Sequence, residues 1–249
     1  MVASSSRGSG LGSVMYAAVI VPARNGTVAR RQRPSISCVS ELRGLLVDYG
    51  GVLTTPLEAT LAHWAQVDGI DQSEYLALMR RWHDTATSGS PVHELETGRL
   101  SVEDFEIAMA AELVRADGAR VPAKGLLQRM LGGFRPEPSM VNVVAAARAG
   151  GIRTALLSNS WGLNYPREGW DRLFDAVVIS GEVGMRKPDP EIFLHTTEVL
   201  GLAPTQCVFV DDLAPNVRAA AEVGMVGVHH TDVDSTLAEL EILFERSFS

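Results

Sequence analysis

The sequence predicts an α/β fold: a doubly wound parallel sheet with a small inserted all-helical domain. Three observations lead there. From residue 136 onward, short apolar runs alternate with amphipathic segments of helical length, and strands separated by such helices imply a parallel sheet covered on both faces. The same strand signal occurs once earlier, at Leu45-Leu46-Val47. Between that run and the next sheet-type helix lies 56–135, too long for a simple crossover and patterned as helices.

Residues 1–43 hold six arginines against one acid, Glu41, and are rich in Ser and Gly with no sustained period. They read as a disordered basic extension, or as an over-long reading frame whose start is Met15 or later. The apolar patch from Val14 to Val21 is too short for a bilayer span. With Arg7 ahead of it and Ala17-Ala18 near a cut, it also fits the centre of a secretory signal. The first strand, 44–47, ends at Asp48 and runs into Tyr49-Gly50-Gly51.

Within 57–135, Leu57, Leu61 and Trp64 mark one helix, and Tyr75, Leu78, Met79 and Trp82 a second at i, i+3, i+4, i+7 spacing. Ser101 caps a third, with Asp104 three residues on and Phe105, Met109 and Leu113 along its face. "PAKGLLQRMLGG" closes the insert. The sheet domain then resumes at 136 and runs to 249. "PEPSMVNVVAAARAGG" is a helix burying Met140, Val143, Val144 and Ala147, with Gly150-Gly151 as its stop. After it come strand "IRTALLSNS", strand "DAVVIS", helix "DPEIFLHTTEVLG", strand "CVFVDD", helix "APNVRAAAEVG", strand "MVGVHH" and a last helix over 234–246.

The chain carries a net charge of −8, which excludes a broad nucleic-acid footprint. No segment approaches a membrane span. The two cysteines, Cys38 and Cys207, support neither a disulfide framework nor a zinc site, and a reducing cytoplasm fits. Cys207 reads as a small buried hydrophobe.

Three apolar runs end on polar groups: Leu45–Val47 at Asp48, Ala155–Leu157 at Ser158-Asn159, and Val208–Val210 at Asp211-Asp212. In an open parallel sheet the carboxyl ends of the strands share one edge, where ligands bind. A fourth element, "GMRKPDP", presents Lys187 in a loop bracketed by Pro188 and Pro190. Singly, each has a structural role to fall back on: a cap, a turn, a solvated lysine. Together they describe a phosphoryl-transfer site. Three carboxylates and a lysine suit Mg²⁺, and a carboxylate nucleophile forms an aspartyl-phosphate. The Ser158 hydroxyl, nearby amides and the lysine would neutralise charge on the transferred group.

"VDYGGVLT", "LLSNS", "GMRKPDP" and "VFVDDLAPNV" resemble, in order and separation, the four motifs of the haloacid dehalogenase superfamily. The resemblance covers about 44–246 and implies a Rossmann-like core with a helical cap. It makes Asp48 the nucleophile, Ser158 a phosphate binder and Lys187 the charge clamp. Asp212 becomes a metal ligand beside Asp48 with Asp211 in support, and the Gly50 main-chain carbonyl a third ligand. Gly51 and Asn159 become substrate-binding positions. The implied protein is a Mg²⁺-dependent hydrolase of a small phosphorylated metabolite, cytoplasmic, monomeric or homodimeric.

One position departs from the pattern. Most phosphatases of the superfamily carry a second Asp two residues after the nucleophile, which protonates the leaving oxygen; here it is Gly50. General acid help is worth roughly a hundred- to ten-thousand-fold. Three readings compete. A phosphatase with a good leaving group, such as an anomeric sugar phosphate, matches a subgroup similar to bacterial glucose-1-phosphate phosphatases, which also carries Gly here; the chain is similar as well to the N-terminal phosphatase part of epoxide hydrolases. A metal-independent 2-haloacid dehalogenase would have no use for Asp211-Asp212. A binding module would keep the fold without turnover.

Substrate choice is expected from the cap. His83, Asp84, His93, Glu94 and Arg99 are its polar candidates, and a cap histidine is one replacement for the missing acid. Trp161 and Trp170 are placed at the cleft mouth, and His229-His230 read as structural.

Overall fold

Leu45 and Val47 point to one side of the central strand and Leu46 to the other, and the fold grows from that alternation. The computed structural model describes residues 41–83, 89–162 and 165–248. The predicted basic extension up to residue 40, Cys38 within it, and Asp84 lie outside the described residues. Strands β1 (Gly44–Val47), β2 (Arg153–Ser158), β3 (Ala176–Ile179), β4 (Cys207–Asp211) and β5 (Val226–His229) form one sheet in the order β3-β2-β1-β4-β5, all parallel. The two strands flanking β1 come from later in the chain, so the polar termini of β2 and β4 lie on either side of Asp48.

Helix α6 (Pro138–Ala149) covers the first face with the four residues its period selects, Met140, Val143, Val144 and Ala147. Leu240 and Phe244 of α11 (Val233–Phe244) join them. The second face is sealed by Ile192, Phe193 and Leu200 of α9 (Pro190–Leu200) and by Ala219 and Ala220 of α10 (Ala214–Glu222). Phe193 meets Phe209 edge-on at 5.3 Å. Cys207 is fully buried in this cluster, and burial pushes its thiol up to about 12.

A separate apolar cluster lies in the insert, built by α1 (Leu57–Asp68), α2 (Gln72–His83), α3 (Pro91–Glu96), α4 (Val102–Glu112) and α5 (Leu126–Leu131). Leu61, Trp64, Tyr75, Leu78, Phe105 and Met109 are buried there. The Ser101 cap forms, accepting the Asp104 amide at 3.1 Å. Helix α3, which the pattern did not reveal, is six residues long, too short to display a period. The same holds for α7 (Trp170–Leu173) and α8 (Ser180–Val183), four residues each.

Trp170 is a correction. It packs among Tyr49, Tyr165 and Phe174 in the sheet cluster, not at a cleft mouth. Its flanking loop is polar, but the ring itself is apolar area that the sheet covers. Among the described residues no helix is long and apolar enough to cross a membrane.

The insert comes close to the sheet domain at Gly98, whose φ is +71° and where a β-carbon would sit 2.6 Å from the Gly181 carbonyl oxygen. Gly98→Ala is therefore expected to cost about 2 kcal/mol or more in urea unfolding. Gly89→Ala, at φ +94° with open space around it, is the control for backbone strain alone and should cost less.

Candidate active site

The four polar groups converge. The Asp48 amide donates to the Val210 carbonyl at 2.9 Å, which holds the end of β1 against β4. The Lys187 ammonium, 1% exposed, donates to Asp48 Oδ1 at 2.7 Å and to Asp211 Oδ2 at 2.6 Å. Its position is fixed from behind by Asn159, whose side-chain oxygen accepts the Lys187 amide (2.8 Å) and whose side-chain nitrogen donates to the Lys187 carbonyl (2.9 Å). Asn159 thus braces the lysine loop as well as lining the cavity above it.

Asp211 is held from three directions. Besides the ammonium, its carboxylate accepts the Leu213 amide at 2.8 Å and the Asn216 amide group at 3.0 and 3.1 Å. It aims Lys187 while Asp212, the next residue, faces the cavity. The backbone between Asp48 and Val52 leaves room for that carboxylate. Gly51 has φ +80°, and a β-carbon there would lie 2.3 Å from Asp212 Oδ2. The Gly51 amide donates to Thr54 Oγ1 (3.1 Å), so what this glycine offers the site is space. Gly50 is different: a β-carbon there would meet only Phe134, at 3.8 Å.

Electrostatics follow from one ammonium among three acids. Burial raises the Asp48 carboxyl to about 7; Asp211 and Asp212 add to the shift and Lys187 opposes it. Burial and then Asp211 push Asp212 up to about 6. Burial works against the Lys187 ammonium, but Asp211 and Asp48 outweigh it and hold its pKa above the ordinary lysine range. Negative charge is left in excess. Oxygens of Asp48, Asp211 and Asp212 lie within 4.8 Å of one another, and a hard all-oxygen donor set of this kind fits Mg²⁺.

Ser158 ends β2 on the other side of Asp48. Its hydroxyl lies 3.0 Å from the Tyr165 phenol, a partner the sequence did not signal because its residue type and spacing match no motif. Burial pushes that phenol up to about 12, so it stays protonated. Its ring packs edge-on to Tyr49 at 5.1 Å and tilted against Trp170 at 5.7 Å, tying the loop after β2 to the turn after Asp48.

From the insert, Leu57, Tyr75, Glu96, Met130, Leu131 and Phe134 line the cavity over these groups. His83 and His93 do not. Their rings pair with each other at 6.0 Å, so neither stands in for the missing acid in this arrangement. Glu94 and Arg99 pair at 2.7 Å on the surface. Trp161 does reach the cavity. His229 Nε2 contacts the Asp212 carbonyl oxygen at 2.9 Å, and His230 Nδ1 contacts Thr236 Oγ1 at 2.8 Å; both are structural contacts.

Glu96, at the end of α3, is the polar residue that the pattern missed. Its Oε2 accepts Arg186 Nε at 2.6 Å and its Oε1 the Trp161 indole at 2.9 Å. Its carbonyl accepts the Ser180 hydroxyl at 2.5 Å, which in turn takes the Ser160 amide. One insert residue therefore binds the loops that follow β2 and β3 and the residue preceding Lys187.

A family model described as haloacid dehalogenase-like hydrolase matches residues 42–224. A sesquiterpene phosphatase of Aspergillus oryzae is 28% identical over 208 residues, covering 81% of this chain and 96% of that relative. A bifunctional epoxide hydrolase 2 of Sus scrofa is 27% identical over 221 residues; the match covers 80% of this chain and only 38% of that protein. Among solved structures, a HAD family enzyme of Bacteroides thetaiotaomicron, in complex with magnesium and inorganic phosphate, gives a TM-score of 0.55 at 20% identity, covering 76% of this chain and 93% of that one. At that identity the likeness concerns the fold alone.

Glu96→Ala would strand the buried Arg186 guanidinium, 8% exposed, without its carboxylate. The expected loss of unfolding free energy is about 3–5 kcal/mol, read by urea denaturation. A loss below about 1 kcal/mol would show that the pair contributes little to holding the insert.

Proposed function

The chain belongs to the haloacid dehalogenase-like hydrolase family, and from that premise we propose that it is a Mg²⁺-dependent phosphomonoester hydrolase of a small phosphorylated metabolite, working through an aspartyl-phosphate on Asp48. The observation that carries the reading is the buried Lys187 ammonium. It is shared between Asp48 and Asp211, with Asp212 and Ser158 on either side. The phosphatase relatives lend it weight.

Lys187 takes one Asp48 oxygen, and the other has no hydrogen-bond partner among the described residues. An Asp48 oxygen attacks phosphorus as the bond to the ester oxygen breaks, and the leaving alkoxide takes its proton from solvent. Water then adds to phosphorus and gives a proton to solvent. The bond from Asp48 to phosphorus breaks, and inorganic phosphate departs. Lys187 and the Ser158 hydroxyl donate to the transferred group, which draws its charge away from the Asp48 carboxylate. Asp48, Asp212 and the Gly50 carbonyl would hold Mg²⁺, with Asp211 in support; when bound it neutralises the acids and phosphate oxygens. With Tyr165 as donor in the hydrogen bond it shares with Ser158 Oγ, the serine proton is left for the phosphoryl oxygens. Residues 57–135 act as the cap that selects the ester.

Gly50 favours a second reading, a binding module of the same fold, since no side chain there protonates the leaving group. A screen of phosphate esters separates the two. Phosphate release that needs Mg²⁺, stops with EDTA and falls at least about a thousandfold in Asp48→Asn supports the hydrolase. Magnesium binding without release from any ester supports the module, and halide release from 2-halo acids without metal would sink both.

Two further outcomes test the assigned roles. Mg²⁺ is expected to raise the melting temperature of the wild-type protein and not of Asp212→Asn. Tyr165→Phe is expected to raise KM for the ester and the inhibition constant of inorganic phosphate together, by roughly threefold to tenfold. Steady-state kinetics that leave both unchanged would remove Tyr165 from the site.

A further inference from the structure

The chamber above Asp48 has a volume of about 120 Å³. Of the six residues that the insert contributes to its lining, Leu57, Met130, Leu131 and Phe134 carry no hydrogen-bonding side chain. Glu96 has neither oxygen free, since one is taken by Arg186 and the other by Trp161. The Trp161 indole N–H is spent on the same contact, so this residue offers the chamber only its ring. That leaves the Tyr75 phenol. Its residue is 4% exposed, its ring is fixed edge-on to Trp64 at 5.4 Å, and its hydroxyl has no hydrogen-bond partner among the described residues. Gly50 adds to the pattern. Where most phosphatases of the family carry an acid, this chain opens toward the Phe134 ring, 3.8 Å from where a β-carbon would lie.

A buried hydroxyl without a partner is costly, and the several hydroxyls of a sugar would find one uncommitted donor on the insert. We propose that the organic part of the ester is compact and apolar, a single ring or a short branched chain seated on Met130, Leu131 and Phe134, with its few further polar atoms placed at the phenols of Tyr75 on the insert and Tyr49 after the first strand. The proposal rests on the phosphatase reading above and names its substrate class. The size follows from the volume: an apolar cavity of about 150 Å³ holds a benzene-sized molecule, so a group of that size matches the chamber, and a flavin or a nucleoside would extend out of it.

The test is a comparison of benzyl phosphate and 3-methylbutyl phosphate with glucose 1-phosphate and glycerol phosphate, using the full chain with Mg²⁺. The apolar esters are expected to show kcat/KM at least about a hundredfold higher. Phe134→Asn, at a half-buried position, should raise KM for benzyl phosphate about tenfold and leave the inhibition constant of inorganic phosphate unchanged. If glucose 1-phosphate is the better substrate and its turnover still needs Asp48, the chamber assignment fails and the phosphatase reading stands. If no ester turns over, the phosphatase reading fails, and calorimetry with benzylphosphonate against inorganic phosphate decides the chamber. Tighter binding of the phosphonate, lost in Phe134→Asn, supports it; equal binding overturns it.

Discussion

Everything at the site depends on where one buried positive charge has been put. Lys187 is almost completely withdrawn from water, and such a charge is tolerated only when paired and hydrogen-bonded. Its two carboxylates come from neighbouring strands, Asp48 at the end of β1 and Asp211 at the end of β4. The ammonium therefore fastens the sheet edge while it lies beside Asp48, the proposed nucleophile. Asp211 is occupied on both oxygens and acts as the fixed member. Asp48 shares only one oxygen with the lysine, which leaves a carboxylate that is held in place and still available.

The insert is joined to this edge by a second buried ion pair. Glu96 and Arg186 bring the end of α3 against the residue next to Lys187, and the close approach of Gly98 to Gly181 lets the chains come near enough for that contact. The residues that roof the cavity and the residues that line its floor are thus registered by one salt bridge and its hydrogen bonds to Trp161 and Ser180. A pair this buried contributes through specificity of position more than through net free energy, because desolvation offsets much of its attraction.

The two adjacent glycines after Asp48 do different things. Gly51 is required by geometry, since its positive φ and the nearness of the Asp212 carboxylate exclude a side chain. Gly50 meets no such obstacle: its backbone is ordinary and the space beside it reaches Phe134. Packing therefore does not require a glycine at position 50 as it does at 51.

The sequence alone determined the sheet, the helices long enough to show a period, and the convergence of Asp48, Ser158, Lys187 and the Asp211-Asp212 pair. These were legible because parallel strands place their carboxyl ends on one edge, so a polar residue ending an apolar run has a position in space as well as in the chain. Tertiary structure decided the rest. Tyr165 on Ser158, Glu96 on Arg186, and Tyr75 in the roof of the cavity are placements that no local pattern signals, made by residue types that serve equally well as core or surface. Trp170 looked like a cleft residue and His83 like an acid only because a one-dimensional pattern does not say which side of a loop faces a cavity. That choice is made by packing, and packing exists only once the chain has closed on itself.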